Sequence, residues 1–458
     1  MQQAKTGQPK ADSPKSHSPD RYSTLDTLPA TMNSSIITPK PPSHTTTMEP
    51  VVGRQRRGAS MKQRVVITGI GICSALGNDI EAYWAALLAG QSGVKPLPDL
   101  APYKDPVVGG ATPDLPLLTS HRRQPDRMIS LAHHAVEQAI TMANGLPQDT
   151  AVLWGTGYTT ISTIEACYEN WFTNGKVRAD TVPACMPAAV LPHLCTVFDL
   201  HGPSTLISAT CASGLQAIGI AADLIRAGVI ETAVAGASDA PLTKGMYAAW
   251  KPLRVLASDL SDPSRACRPF SADRNGLVLA EGAGAFVLES LEHAKARNAP
   301  ILAEIMASAA TTASGSIVAP DLEHQTLTLT KALARAQISI HDVDYINAHA
   351  TGTKLGDAAE AATIKAVFGE HAKHVPISAI KGATGHAMGA SSALEAVATI
   401  LALRDQVLPP TINWQAGDPD CDLDFVVEGA RQQTINLAVK ESFGFGGSNA
   451  VLVLRRWV

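Results

Sequence analysis

Ile207-Ser208-Ala209-Thr210-Cys211-Ala212-Ser213-Gly214-Leu215-Gln216-Ala217-Ile218-Gly219 and Ile377-Ser378-Ala379-Ile380-Lys381-Gly382-Ala383-Thr384-Gly385-His386-Ala387-Met388-Gly389 repeat one pattern. Each opens as a short β-rich run, turns through small residues and enters a long Ala-rich helical run. The first helix, expected over Ala212–Ala227, puts Leu215, Ile218, Ala222 and Ile225 on one face. The second, expected over His386–Leu403, does the same with Leu394, Val397 and Leu401. Duplication of a βα unit would give two similar halves; chance likeness of two Ala-rich segments is the alternative.

Outward from this echo, β-rich and helical runs alternate. Strands are expected at Val65–Ile70, Ala151–Thr156, Thr205–Ala209, Thr232–Ala237, Ala285–Glu289, Ile301–Ala307, Asp344–His349, Val375–Ala379, Asn436–Ser442 and Val451–Leu454. Further helices are expected at Ile80–Ala89, Met128–Met142, Glu323–Ala336 and Asp357–Phe368. Strands interleaved with helices indicate α/β architecture.

Composition narrows the function. The 458 residues carry 37 Lys plus Arg against 41 Asp plus Glu, a net charge of −4 that argues against a dedicated nucleic-acid binder. Hydrophobic residues are 45% and aromatics only 5%, so the core is built from small aliphatic side chains. No uninterrupted apolar run of about 18 residues exists, which argues against membrane insertion. Seven widely spaced cysteines form no C-x-x-C, so neither a zinc ribbon nor a disulfide framework is expected, and a reducing compartment fits best. Residues 1–60 hold eight Ser, eight Thr, eight Pro and one aromatic, Tyr22. Such a segment buries too little apolar surface to offset its ordering entropy and reads as a disordered extension. A translated upstream region before Met61, a tail and a transit peptide compete to explain it.

Cys211 stands between a strand and a helix among small neighbours. A helix N-terminus there would stabilise a thiolate, and its N–H groups could face an oxyanion; a buried structural thiol is the bland alternative. His349 ends a strand in Asn347-Ala348-His349-Ala350-Thr351-Gly352-Thr353, at the carboxyl edge where α/β sites lie. His386 follows Gly385 at the expected helix start, with Lys381 five residues earlier; a neutral imidazole is expected there. Asp357 and Glu360 share a helix face, where first-turn charge is ordinary. Phe443-Gly444-Phe445-Gly446-Gly447-Ser448-Asn449 lies between two strands and lacks the Lys-Ser/Thr of a phosphate loop. Gly69-Ile70-Gly71-Ile72-Cys73-Ser74 nearly spells a dinucleotide fingerprint, but its third Gly is missing.

Together these motifs resemble the β-ketoacyl-acyl carrier protein synthases of the thiolase superfamily, nearest the elongating synthase II type, over about residues 61–458. Arg64–Gly71 is similar to the family's first strand, and Arg268-Pro269-Phe270 through Gly282-Ala283-Gly284 to its R-P-F…G-E-G-A-G stretch. The resemblance implies a duplicated, layered α-β-α-β-α fold with mixed five-stranded sheets, its halves at about 61–310 and 311–458. It implies Cys211 as nucleophile, His349 and His386 as a catalytic pair, and Lys381, Glu360 and Glu395 as support, Lys381 contacting Glu360 and orienting the His386 region. Backbone N–H groups of Cys211 and Phe445 would form the oxyanion hole. Phe445 would gate the acyl pocket, supported by Phe443. The implied reaction is decarboxylative condensation of an acyl group on Cys211 with a malonyl-acyl carrier protein, without metal or redox cofactor. Acyl carrier protein would be the partner, the chain would be a homodimer or pair with a related subunit, and the location would be cytoplasmic, or organellar if residues 1–60 are a transit peptide.

Four positions depart from the usual motifs: Thr210 and Ala212 flank Cys211, Ala350 replaces a Gly, and Ile380 precedes Lys381. They leave chain length and pathway open. Two rivals remain. A non-catalytic chain-length-factor-like subunit would lack the nucleophile, which Cys211 argues against. A biosynthetic thiolase would need a late second Cys in a G-x-G setting, and only Cys421 is late.

Overall fold

The computed structural model describes residues 63–100, 106–118 and 124–458; the extension expected over residues 1–60 lies outside them. All ten expected strands are present, and they form one mixed sheet. In chain order they are β1 (Val65–Cys73), β2 (Ala151–Gly155), β3 (Ser204–Ile207), β4 (Thr232–Asp239), β5 (Gly282–Ser290), β6 (Ala303–Thr312), β7 (Tyr345–Asn347), β8 (Ile377–Ser378), β9 (Leu437–Phe443) and β10 (Ser448–Arg456).

Their spatial order is β8-β7-β9-β10-β6-β1-β5-β4-β2-β3. Read outward from the middle, each half runs first, fifth, fourth, second, third strand. Pairing sense repeats as well. β1–β5 and β5–β4 are antiparallel while β4–β2 and β2–β3 are parallel; β6–β10 and β10–β9 are antiparallel while β9–β7 and β7–β8 are parallel. Two chance-similar segments would not reproduce five strands in one order and sense, so the echo is a duplication. The five-stranded sheets are joined edge to edge by β1 and β6, Val65 opposite Ile305 through Ile67 opposite Ala303. A boundary at 310/311 falls inside β6; strand equivalence moves the division to the segment between Ser290 and Ala303.

The helices complete the layers. We label α1 (Ile80–Leu88), α2 (Arg127–Met142), α3 (Ile161–Asn174), α4 (Val190–Val197), α5 (Ser213–Arg226), α6 (Leu322–Ala336), α7 (Lys354–Phe368), α8 (Lys381–Thr384) and α9 (Ser391–Asp405). α2 covers β1, β5 and β4, and α6 covers β6 and β10. The equivalent helices α5 and α9 pack on each other and on strands of both halves. Every residue of α9 from Ser391 to Leu403 is therefore buried, and the one-sided face expected from Leu394, Val397 and Leu401 gives way to burial all round.

Two local expectations change. The helix expected from His386 starts at Ser391. Before it come α8, the His386 segment and a 3₁₀ turn at Met388–Ala390, with Met388 at φ 50°. The near-fingerprint Gly69–Ser74 is not a nucleotide loop. Gly69 and Gly71 lie inside β1, where a Cβ would collide with the Ala139 and Ala135 carbonyls of α2, so glycine serves close helix–strand contact. No described helix is long and apolar enough to cross a membrane.

Candidate active site

Duplication brings the two echoing turns together. Cys211 leaves β3 in a 3₁₀ turn, Thr210–Ala212, just before α5. His349 follows β7, and His386 follows α8, where its N–H donates to Val278 O (2.7 Å) and its carbonyl accepts Ala280 N–H (2.9 Å). One acceptor atom each from Cys211, His349 and His386 lies within 4.8 Å of the others, close enough to ligate one ion or surround one small group. His133, His134 and Glu137 on α2 are similarly close. His386 Nε2 is 3.1 Å from Cys211 Sγ, and the two imidazoles stand edge to face with centroids 5.4 Å apart.

Cys211 does not rest as the thiolate expected of a helix start. Burial pushes its pKa up to about 11, against the lowering effects of Lys381 and the Phe445 N–H. Both histidines are held well below the ordinary imidazole range, by burial first and then by Lys381. Both are neutral at pH 7; this is expected of His386 alone, and there the cause is burial rather than a helix end.

Hydrogen bonds then select tautomers. His349 Nδ1 lies 3.3 Å from Lys381 Nζ. A lysine ammonium only donates, so Nδ1 accepts and the proton sits on Nε2. His386 Nδ1 lies 2.9 Å from Ser391 Oγ. A hydroxyl donates or accepts, so this partner permits either tautomer.

The supporting residues are arranged differently from expectation. Lys381, fully buried, donates to Glu395 Oε1 and to His349 O. It contacts Glu395 and His349, not Glu360, and orients His349, not His386. Glu360 accepts the N–H groups of His349 and Ala350, each at 2.6 Å. Those bonds clamp Ala350 at φ 21°, a conformation that favours glycine. Asp357 accepts the N–H groups of Phe270 (2.8 Å) and Gly352 (3.1 Å), and burial raises it to about 7.

The Phe443–Asn449 segment closes the site. Phe443 stands edge to face with His349, centroids 6.4 Å apart, and Phe445 stacks on Trp250 at 5.8 Å. Thr210 Oγ1 donates to Phe445 O at 2.9 Å, tying the segment to the Cys211 turn. A Cβ on Gly444 would collide with Thr210 Oγ1 and lie 3.0 Å from Cys211 N, so this approach needs glycine. A cavity of about 520 Å³ is lined by Cys211, His349, His386, Phe443, Phe445 and Trp250 among others. A larger one, about 700 Å³, adjoins it at Arg254, Ser258 and Leu277 but holds none of the three reactive side chains.

Sequence reasoning missed Ser391, Trp250, Asp239 and Lys440. Asp239 accepts N–H bonds from Gly157 (2.8 Å), Tyr158 (3.1 Å) and Gly389 (2.7 Å), and so binds two loops of the site together. Trp250, Asp239 and Lys440 reach the site through partners far away in sequence; Ser391 stands only five positions after His386, inside the stretch expected to be a continuous helix.

Comparison with known proteins places this arrangement. Residues 62–294 match the family model for the β-ketoacyl synthase N-terminal domain, and residues 302–415 match that for its C-terminal domain. Nodulation protein E of Rhizobium sp. (strain N33) is 40% identical over 408 residues, covering 86% of this chain and 100% of that protein. 3-Oxoacyl-[acyl-carrier-protein] synthase 2 of Coxiella burnetii (strain RSA 493 / Nine Mile phase I) is 38% identical over 414 residues, 86% of this chain and 99% of that one. Among solved structures, the complex AntDE:AntF, a type II polyketide synthase acyl carrier protein with its ketosynthase bound to the hexaketide, contains a chain similar at TM-score 0.81 and 32% identity. The match covers 87% of this chain and 100% of that one. The chain belongs to the β-ketoacyl synthase family.

Proposed function

We propose that this synthase elongates an acyl chain by decarboxylative condensation with a malonyl-acyl carrier protein, and that Cys211, His349 and His386 perform it. The observation that carries the reading is the convergence of one thiol and two neutral imidazoles in one cavity. Cys211 Sγ attacks the acyl thioester as its proton passes to His386 Nε2, then to the departing pantetheine thiol. With Cys211 acylated, His386 takes the Nε2–H tautomer and Ser391 donates to Nδ1. The malonyl carboxylate leaves as carbon dioxide, and its electron pair moves into an enolate whose oxygen accepts from His349 Nε2–H and His386 Nε2–H. The enolate carbon attacks the acyl carbonyl on Cys211. The tetrahedral oxyanion faces the N–H groups of Cys211 and Phe445, and its collapse expels Cys211 as the leaving group. Loss of carbon dioxide drives the step, so the reading requires no metal or redox cofactor.

Acyl carrier protein is the proposed partner, supported by the ketosynthase complex described above. A second copy of this chain is the proposed subunit partner, in the cytoplasm. α3 has no buried residue, and its Tyr168, Trp171 and Phe172 are exposed, Phe172 by 79%. The sheet ends in this half on the edge strand β3. A sedimenting monomer at micromolar concentration would oppose the dimer. Incubation with an isotopically labelled acyl-carrier-protein thioester should put label on Cys211; an unlabelled Cys211 would favour the non-catalytic subunit.

A further inference from the structure

Lys440, in β9, is the second fully buried lysine of the site. Its Nζ lies 2.9 Å from Glu395 Oε2, 3.3 Å from Asn347 O and 3.4 Å from Ala348 O, and it donates to Glu441 O. These partners are one carboxylate and three main-chain carbonyls. Carbonyl oxygens in such a ring replace the hydration shell of a bare monovalent cation. Full burial of a lysine is costly and needs pairing, and here the pairing is complete.

The cage bears directly on His349. Asn347 and Ala348 are the two residues before it. Glu395 is shared, one oxygen facing Lys440 and the other accepting from Lys381, which in turn bonds to His349. The other titratable groups around it are Glu360, Glu441, His386, Tyr83 and Tyr345. No described N–H or O–H reaches the buried Glu441 carboxyl. Burial and the neighbouring Glu360 hold it well above the carboxylate range.

We propose that Lys440 is a tethered internal cation that positions His349, by gathering the Asn347 and Ala348 carbonyls and holding Glu395 against Lys381. It is a positioning residue and touches no substrate. The positioning half rests on the condensing reading above; the cage half does not.

Lys440→Ala tests both, because it removes the tether and leaves every cage oxygen. In sodium or tetramethylammonium chloride the variant should lose about 10²-fold in condensation rate, the cost of a misplaced catalytic group. Its melting temperature should fall by roughly 3–10 °C. Ammonium or potassium chloride at equal ionic strength should restore both, while tetramethylammonium, too large for the cage, should not. Wild type should be indifferent to the salt, and Lys440→Met, which fills the cage with methylenes, should be impaired and not rescued. Rescue of melting temperature without rescue of rate would overturn the positioning role and keep the cage. Equal behaviour in all four salts, or failure to fold even in ammonium, would overturn both. The melting arm reads the cage even if wild type fails to condense malonyl thioesters.

Discussion

Replacing Lys381 by Met separates the two half-reactions. Lys381 bonds to Glu395 Oε1 and His349 O, and its Nζ lies 3.3 Å from His349 Nδ1, all at full burial. Met keeps the volume and removes the charge. Glu395 keeps Lys440 as counter-ion but loses its second partner, and the His349 carbonyl loses a donor. Breaking such a buried pair costs ~3–5 kcal/mol of stability. The catalytic effect is more specific. Without a donor on Nδ1, His349 is free to place its proton on either nitrogen, and its Nε2–H is no longer held toward the enolate. Loss of one preorganised oxyanion donor costs ~10²–10³-fold, or ~2.7–4 kcal/mol. Malonyl decarboxylation, measured as carbon dioxide release, should fall by that factor. Acylation of Cys211, measured by intact mass, uses His386 and should fall by less than about 10-fold, the share expected from losing Lys381's lowering of the thiol pKa. The pH dependence has a definite sign. Lys381 depresses the His349 pKa, so its removal raises that pKa, and since neutral His349 is required, the acid limb of decarboxylation moves to higher pH. A folded variant that decarboxylates within about 3-fold of wild type, or loses both half-reactions equally, would refute the reasoning.

Other perturbations give different patterns. Ser391→Ala removes the hydroxyl 2.9 Å from His386 Nδ1 that serves both tautomers; acylation and decarboxylation should fall together by roughly 10-fold, one hydrogen bond's worth, and Ser391→Thr should recover much of it. Gly444→Ala places a methyl where Thr210 Oγ1 and Cys211 N already sit; condensation should drop ~10²-fold as the Phe445 segment moves off the nucleophile, with about 1–3 kcal/mol lost in denaturant melts. Ala350→Gly relieves the φ of 21° and should raise stability by up to about 1 kcal/mol in the same melts without lowering the condensation rate.

Much of this was legible along the chain because its causes are local. Short β-rich runs between helical runs mark all ten strands, and the two echoing turns carry Cys211 and His386. The failures were of another kind. The helix expected from His386 looked continuous because Gly385, Ala387, Met388, Gly389 and Ala390 are as small or apolar as the helix that follows; the positive φ at Met388 is set by packing, not by residue type. The Cys211 pKa was read from a helix end, whereas burial decides it. Lys440 and Glu441 sit side by side in a strand where alternation predicts one inward and one outward residue. Both are buried, Lys440 because Glu395, 45 positions earlier, supplies its counter-ion. Lys381 is expected on Glu360, yet its ammonium meets Glu395 of α9 instead, 14 positions later.

The most direct test of the central claim uses Cys211→Ala. If Cys211 carries the acyl group while His349 and His386 handle the enolate, this variant loses condensation and acyl labelling entirely. It still releases carbon dioxide from a malonyl-acyl carrier protein, leaving the acetyl form. Condensation at the wild-type rate without Cys211 would contradict the account.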